Sequence, residues 1–249
     1  MSSKQKTKYK NKLPKQLLAL PNADKGFHEE WDKERDMLNI PHPFRAVFLG
    51  PPNTGKSTTV KNLLIRQEPP FEEVFVIHCD AEYTKEYDDV GEDVKMLSLI
   101  PAPEEWEGIK KTLVILDDLE LKTLPKDQKK NLDRLFGYVS THKNISVCLC
   151  SQDPFNVPPI VRRCANLWVL WRCSDLDSMS ICARKTGLKS DAFNSIFSDL
   201  LLEKRDSLWI DMTNKTPYPM RKNGYTVIEK QDGEDTRNSN LKRDKYLEN

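Results

Sequence analysis

A stretch of nine residues, Gly50–Thr58, limits the possible folds of this chain more than any other segment. Its sequence, GPPNTGKST, matches the Walker A pattern G-x-x-x-x-G-K-[ST], and it lies between an apolar stretch and a segment with helical spacing. The two glycines let the backbone turn tightly, so that successive amide groups converge at the start of a helix. This context predicts a phosphate loop that binds a nucleoside triphosphate.

Each part of the loop has an expected role in that site. Lys56 reaches the β- and γ-phosphates, the Ser57 hydroxyl ligates Mg²⁺, and Thr58 contacts the α-phosphate. The two prolines stiffen the loop without removing later N–H groups. The expected nucleotide-binding set is Gly50, Pro51, Pro52, Asn53, Thr54, Gly55, Lys56, Ser57 and Thr58.

Short apolar stretches alternate with helical spacing through the middle of the chain. Six stretches predict buried strands: Arg45–Gly50, Glu73–His78, Thr112–Asp117, Ile145–Cys150, Leu167–Trp171 and the weaker Ser207–Met212. Helical spacing is found over Gly55–Arg66 and Lys126–Val139. Continuous apolarity suits strands that are covered on both faces, so this order predicts a three-layer α/β fold with a mainly parallel central sheet.

The two ends of the chain differ from its middle. Residues 1–40 include a basic arm with six lysines and no acid in its first 16 residues, and residues 229–249 are mostly charged or polar. We expect flexible charged termini around one nucleotide-binding domain over residues 41–228. The net charge of the whole chain, +1, does not by itself indicate a nucleic-acid partner. The arm is either a solvated tail or a contact to nucleic-acid phosphates, because like charges cluster where the partner is a polyanion.

The sequence disfavours secretion, a membrane span and a structural metal. No apolar stretch approaches the roughly 18–20 residues of a membrane helix, and the lysine-rich N-terminus contains no signal-peptide core. The six cysteines form no CxxC pair and no cysteine–histidine zinc spacing. We therefore expect reduced thiols in an intracellular protein.

Two acids follow the apolar stretch Leu113–Leu116 directly. In a parallel sheet the carboxyl ends of the strands line the ligand crevice, so both acids are expected beside the phosphate loop. We assign Asp117, together with Ser57, to the metal. Asp118 is assigned to the attacking water, as a general base or a water-orienting group. The alternative is an exposed acidic turn.

A polar residue also follows the next predicted strand. Gln152 comes two residues after Ile145–Cys150, which is expected to lie beside the acidic strand. Its side-chain amide can donate to the γ-phosphate and hold the water at the same time. We therefore add Gln152 to the catalytic set.

Two arginines complete the expected catalytic set. Arg162 and Arg163 precede the predicted strand Leu167–Trp171. The planar guanidinium of arginine suits phosphate better than lysine does, and an arginine from a neighbouring subunit can stabilise transition-state charge. One of the pair is expected to act as such a finger. A surface salt bridge and a nucleic-acid contact are the alternatives.

A basic segment follows the acidic strand. Leu121–Lys130 contains Lys122, Lys126, Lys129 and Lys130 around a proline. A loop here could couple changes at the metal site to binding of a nucleic-acid backbone. The alternative is a solvated helix N-terminus.

Four motifs in this order and spacing resemble the genome-packaging ATPases of the FtsK–HerA superfamily: GPPNTGKST, LVILDD, CLCSQD and PPIVRRCANLWVLWR. The likeness extends roughly from Pro43 to Gly187. It is greatest for the poxvirus-type branch found in large DNA viruses, virophages and Polinton-like elements. Its most specific part is the combination of double Asp, Gln after a strand and downstream Arg. The doubled prolines depart from the commoner Gly/Ser-rich loop.

The resemblance implies an ASCE/RecA-like P-loop ATPase domain over residues 41–228 that hydrolyses ATP with Mg²⁺. It implies a homo-oligomeric ring, a hexamer, that drives double-stranded DNA into a preformed capsid. The implied partners are double-stranded DNA, the packaging vertex of a viral capsid and further copies of the chain, with no membrane. The implied location is the intracellular site of virus assembly and the virion.

The resemblance also carries over residue by residue. Lys56 and Ser57 match the phosphate-loop pair of the family, and Asp117 and Asp118 match its magnesium-binding and catalytic acids. The remaining matches are Gln152 with the γ-phosphate sensor and Arg162 or Arg163 with the finger.

Other P-loop classes fit the sequence less well. A nucleotide kinase usually needs an arginine-rich lid, and no such cluster stands between Asp118 and Gln152. A signalling GTPase needs an N-K-x-D-like motif, and none follows the acidic strand. Another DNA-dependent ASCE ATPase or helicase stays open as an alternative.

Overall fold

The computed structural model describes residues 36–91, 94–173, 176–186, 189–213 and 219–228. The basic arm expected at the N-terminus and the charged tail expected over residues 229–249 lie outside these ranges. Among the described residues, no helix combines the length and the apolar character that a membrane span needs.

One nine-stranded sheet organises the described residues. Its strands are β1 (Arg45–Leu49), β2 (Glu73–His78), β3 (Val94–Leu97), β4 (Thr112–Asp117), β5 (Ile145–Ser151), β6 (Leu167–Trp171), β7 (Ser207–Asp211), β8 (Met220–Lys222) and β9 (Thr226–Val227). Their spatial order is β3-β2-β4-β5-β1-β6-β7-β8-β9. The first six strands in this order are parallel, and the last three continue the sheet antiparallel. The predicted α/β fold with a mainly parallel central sheet is confirmed.

Helices connect most of the parallel strands. They are α1 (Lys56–Arg66), α2 (Lys126–Arg134), α3 (Ser140–His142), α4 (Pro159–Cys164), α5 (Leu176–Thr186) and α6 (Ser190–Ser195). A π-helical turn over Leu135–Val139 joins α2 to α3, so the helix predicted over Lys126–Val139 is present with its last five residues in a wider turn. A second π-helical turn, Ile196–Leu200, follows α6.

Both faces of the sheet are covered, as the apolar strands require. Alternate residues of β1 point to opposite sides: Val47 packs in a core with α2, α4 and α6, whereas Phe48 packs in a second core with α1. The same alternation separates Val114 from Ile115 on β4. Each fully buried aliphatic or aromatic side chain of these cores contributes about 1.5–3 kcal/mol relative to exposure. The result is the expected three-layer arrangement.

Three strands were not expected from the sequence. Six predicted strands coincide with β1, β2, β4, β5, β6 and β7 to within one residue. β3 is short and only partly buried. β8 and β9 add two short antiparallel strands, of three and two residues, to the sheet. Leu38 and Ile40 precede the expected start of the domain at residue 41, and both are buried in the same core as α1.

Candidate active site

The phosphate loop joins the carboxyl end of β1 to the start of α1. Asn53 and Gly55 adopt left-handed backbone conformations, with φ of 59° and 102°, which turn the chain into the helix. Gly50 has a different requirement, since a Cβ atom there would lie only 2.7 Å from the Cβ of Trp171 on β6. The loop therefore needs glycine at Gly50 for close packing against β6 and at Gly55 for its backbone angle.

Lys56 extends back over the loop. Its Nζ donates to the carbonyl oxygens of Gly50 at 2.8 Å and Pro51 at 2.9 Å. An ammonium group has three N–H donors, so these two bonds leave one for a phosphate oxygen. Burial lowers the pKa of Lys56 below its ordinary value, while nearby negative charges, including Asp117 and Asp118, act in the opposite direction.

The two residues assigned to the metal are in contact. Ser57 Oγ donates to Asp117 Oδ2 at 3.2 Å, across 60 residues of chain. Asp117 lies at the end of β4 and is buried. Hydroxyl and carboxylate oxygens are the ligand types that Mg²⁺ takes in phosphate-binding sites. The donor set therefore fits Mg²⁺, which would be held by these two side chains and the phosphates.

A third residue at this point was not expected from the sequence. Tyr87, in the loop between β2 and β3, donates its phenolic hydrogen to Asp117 Oδ2 at 2.6 Å. Tyr87 is buried, and burial raises the pKa of its phenol well above the usual range, with the Asp117 charge raising it further. The phenol therefore stays a hydrogen-bond donor at every physiological pH.

Asp118 and Gln152 also come together. Gln152 Nε2 lies 3.4 Å from Asp118 Oδ1, so the residues that follow the neighbouring strands β4 and β5 meet at one edge of the sheet. Both side chains are exposed. Asp118 has a left-handed backbone with φ of 50°. The structure thus places the two residues assigned to the water beside each other and beside the Ser57–Asp117 pair.

A histidine and a cysteine at the end of β2 border this site. Ligand atoms of His78, Cys79 and Asp118 lie within 4.8 Å of one another. His78 Nδ1 accepts a hydrogen bond of 2.9 Å from the Asp80 amide, so the neutral ring carries its proton on Nε2. A metal-ligating histidine normally donates from its second nitrogen rather than accepting there. His78 therefore fits a hydrogen-bond donor better than a metal ligand.

The two arginines, Arg162 and Arg163, lie away from the phosphate loop. Both are in the last turn of α4, where the Cys164 carbonyl accepts a 2.7 Å bond from Arg45 Nε at the start of β1. The phosphate loop follows the other end of β1, about 16 Å away at 3.3 Å per strand residue. Arg163 is exposed beside a cleft between α2 and α4, and Arg162 is half-buried. The structure does not bring either arginine to the phosphate loop of its own chain.

An open cleft of about 440 Å³ adjoins the phosphate loop. Its walls include Pro51 and Pro52 of the loop, Gln152 and the exposed ring of Phe155. The phosphate loop, the two acids and Gln152 thus lie together at the carboxyl ends of the parallel strands. Ligands of open α/β sheets bind at this edge.

Comparisons with known proteins agree with this architecture. The sequence matches no protein-family model, and no curated protein is similar to it in sequence. Solved structures are similar in fold. The DNA-packaging ATPase B204 of Sulfolobus turreted icosahedral virus superposes with a TM-score of 0.52 at 13% identity, over 71% of this chain and 95% of that chain.

Two further solved structures show the same likeness. The genome-packaging NTPase B204 of Sulfolobus turreted icosahedral virus 2, solved in complex with AMPPCP, has a TM-score of 0.52 at 15% identity, over 72% of this chain and 96% of that chain. The cytoplasmic domain of the type VII secretion ATPase EccC of Thermomonospora curvata has a TM-score of 0.50 at 9% identity, over 77% of this chain and 29% of that chain. The described residues therefore have the fold of the ASCE P-loop ATPases.

Proposed function

We propose that this chain is an Mg²⁺-dependent ATPase that moves double-stranded DNA into a viral capsid as part of a homo-oligomeric ring. The observation that carries the hydrolase assignment is the meeting of Asp118 and Gln152, 3.4 Å apart, beside the Ser57–Asp117 contact. A protein that only binds nucleotide needs no acid and amide at this place.

Each side chain of the site has a separate role in the proposed hydrolysis of ATP. Lys56 and the loop amides hold the phosphates. Bound Mg²⁺ would neutralise the charge that develops on the β- and γ-phosphates. Asp118 accepts a proton from the attacking water, and Gln152 orients that water with its amide. Neither Asp118 nor Gln152 is buried, so water reaches both of them.

The DNA-moving role is supported by a basic surface next to this site. Four exposed lysines lie in the β4–α2 loop and on α2: Lys122, Lys126, Lys129 and Lys130. Lys122 also pairs with Asp153 at 3.7 Å, directly after Gln152. A movement of the loop that contains Gln152 would therefore displace Lys122, which can contact DNA phosphates.

The viral setting rests on two likenesses. The motif order resembles the poxvirus-type packaging ATPases, and the fold is similar to that of the B204 packaging ATPase. We therefore propose the packaging vertex of a capsid as partner, a hexamer as assembly, and the intracellular site of virus assembly and the virion as locations.

The decisive experiment measures phosphate release from ATP with Mg²⁺, with and without linear double-stranded DNA. We expect hydrolysis that needs Mg²⁺ and rises when DNA is added. Lys56→Ala should nearly abolish nucleotide binding and turnover. Lys95→Ala, which changes an exposed lysine of the edge strand β3, is the matched control and should behave as wild type.

Each other result would point to a different protein class. Hydrolysis that does not respond to DNA would contradict the DNA-moving role and leave an ATPase of another kind. Transfer of the phosphoryl group to a nucleoside monophosphate would assign a kinase. Strand separation in place of translocation along duplex DNA would assign a helicase.

A further inference from the structure

The carboxylate of Asp117 is held by donors from three separate parts of the chain. Ser57 Oγ on α1 donates to Oδ2 at 3.2 Å, and Tyr87 OH donates to the same oxygen at 2.6 Å. The backbone N–H of Asp118 donates to Oδ1 at 3.1 Å. The bond from Tyr87 is the shortest of the three, and it comes from a loop that contributes no other residue to the expected nucleotide or metal site.

Residues 79–91, here called the tyrosine segment, are themselves fastened to α1. Lys61 Nζ donates to the Glu86 carbonyl at 2.7 Å and pairs with Asp89 Oδ1 at 2.8 Å. The same ammonium lies 6.0 Å from the centre of the Tyr87 ring. Lys61 therefore links Glu86, Tyr87 and Asp89 of this segment to the helix that begins at the phosphate loop.

These contacts connect α1, the end of β4 and the tyrosine segment to one another. Ser57 and Lys61 are four residues apart, so they lie on the same face of α1. Ser57 and Tyr87 both donate to Asp117, and the tyrosine segment contacts α1 again through Lys61. A carboxylate fixed in this way has little freedom to rotate away from the serine with which it would share a cation.

We infer that Tyr87 is a positioning residue for the metal-binding carboxylate and sets the affinity of the site for Mg²⁺ through its hydroxyl group. This role rests on the proposed function, because it assumes that Ser57 and Asp117 hold Mg²⁺ with a nucleotide. The role assigned to Tyr87 is indirect, because its phenol donates to Asp117 Oδ2. It fixes the oxygen of Asp117 that faces Ser57, in the way that outer partners orient the ligands of other metal sites.

The test replaces the hydroxyl and keeps the ring. Tyr87→Phe leaves the ring packing and the contact with Lys61 in place and removes only the bond to Asp117. The readout is binding of the non-hydrolysable analogue AMPPCP, measured by calorimetry over a range of Mg²⁺ concentrations and again in EDTA. We expect the Mg²⁺ concentration for half-maximal binding to rise roughly 10-fold or more, because loss of an outer partner weakens metal sites by this amount.

A matched control lies in the same segment. Tyr83→Phe removes a hydroxyl from a tyrosine that is 76% exposed, and it should leave the Mg²⁺ dependence unchanged. Thermal unfolding in metal-free buffer separates positioning from stability. A purely structural tyrosine would lower the unfolding temperature of Tyr87→Phe and leave the half-maximal Mg²⁺ concentration at its wild-type value, which would overturn the inference.

A second variant keeps the test valid if Tyr87→Phe folds poorly. Lys61→Met unfastens the tyrosine segment from α1 and leaves Tyr87 and Asp117 intact, so it should shift the Mg²⁺ dependence in the same direction by a smaller factor. Wild-type protein that binds AMPPCP without any need for Mg²⁺ would overturn the metal assignment and this inference with it. Normal Mg²⁺ dependence in wild type, Tyr87→Phe and Lys61→Met alike would overturn the inference alone.

Discussion

Asp117 and Asp118 are assigned to one site although they are neighbours in the sequence. Successive side chains of an extended strand point to opposite faces, so two adjacent acids reach the same site only if the strand ends between them. The structure has this break: β4 ends at Asp117, and Asp118 turns into the left-handed region with φ of 50°. Such a conformation costs most residues other than glycine about 1–3 kcal/mol, and Asp and Asn adopt it more readily than other side chains.

The division of labour between the two acids can be tested with amides. Asp118→Asn should bind Mg-ATP normally and hydrolyse it about 10²–10⁴ times more slowly, because an amide cannot accept the proton of the attacking water. Asparagine also tolerates the left-handed backbone of this position, so the fold should be retained. Asp117→Asn should instead weaken Mg²⁺-dependent binding. Single-turnover hydrolysis and nucleotide titration measure the two effects.

Asp191→Asn is the control for this pair, since Asp191 is an exposed acid on α6. It should match wild type in both assays. Normal hydrolysis by Asp118→Asn, together with slow hydrolysis and normal binding by Asp117→Asn, would show that our assignment of the two acids is reversed.

The residues of the site differ in how far the sequence could predict them. Asp117 ends an apolar strand, and the phosphate loop, Asp118 and Gln152 each directly follow one, so strand topology alone places them at the same end of the sheet. Tyr87 lies in an irregular loop, 30 residues from the carboxylate that it contacts. No periodic pattern marks such a residue, because its position depends on how the tyrosine segment folds back on α1.

At the scale of elements, burial on both faces decides which strands the sequence reveals. β4 and β5 are buried at every position and appear as continuous apolar stretches. β3 is partly exposed and contains a lysine, so four residues of mixed polarity gave no strand signal. β8 has only three residues, and one of them is Arg221, whose full burial no sequence pattern would suggest.

Arg221 joins the antiparallel edge to the start of the described chain. Its guanidinium lies 3.4 Å from Asp211 Oδ2 on β7, within a pair that has no solvent exposure, and it donates to the Met37 carbonyl at 2.7 Å. The ring of Trp209 lies 5.8 Å away. Residues on β7, on β8 and before β1 therefore share one buried cation.

Removing this cation should destabilise the fold. Arg221→Met leaves the buried Asp211 charge without its partner, which costs about 3–5 kcal/mol in the free energy of unfolding. The double variant Arg221→Met/Asp211→Asn removes the uncompensated charge and should recover a large part of that loss. Urea denaturation of both variants measures the difference. A loss below about 1 kcal/mol in the single variant would mean that water reaches Asp211.

At the scale of the whole molecule, the parts of the expected catalytic set lie at two places. The phosphate loop, Asp118 and Gln152 occupy the edge where the parallel strands end. The last turn of α4, which carries Arg162 and Arg163, is bonded to Arg45 at the start of β1, about 16 Å from the loop. An arginine side chain cannot span that distance to the γ-phosphate of its own chain. A finger role for either arginine would therefore act on the nucleotide of a neighbouring subunit.

Single substitutions should reveal that role as a defect in rate. Alanine at the arginine that acts as a finger should leave ATP affinity nearly unchanged and lower kcat by about 10³-fold or more. Arg163 is the better candidate on exposure, because it borders the cleft between α2 and α4 and Arg162 is half-buried. Both alanine variants need to be measured, and Arg205→Ala, an exposed arginine before β7, is the matched control.

Mixed assemblies then separate action on a neighbour from action within one chain. Subunits with the arginine replaced keep a working Asp118, and Asp118→Asn subunits keep a working arginine. In a mixture of the two inactive proteins, some interfaces bring an intact arginine to an intact acid, so part of the ATPase activity should return. Recovery that depends on the mixing ratio would require an assembly of at least two chains. If mixing restores nothing, or if neither alanine variant loses activity, the arginines do not act across subunits. They would then serve as surface pairs or as contacts to the DNA backbone.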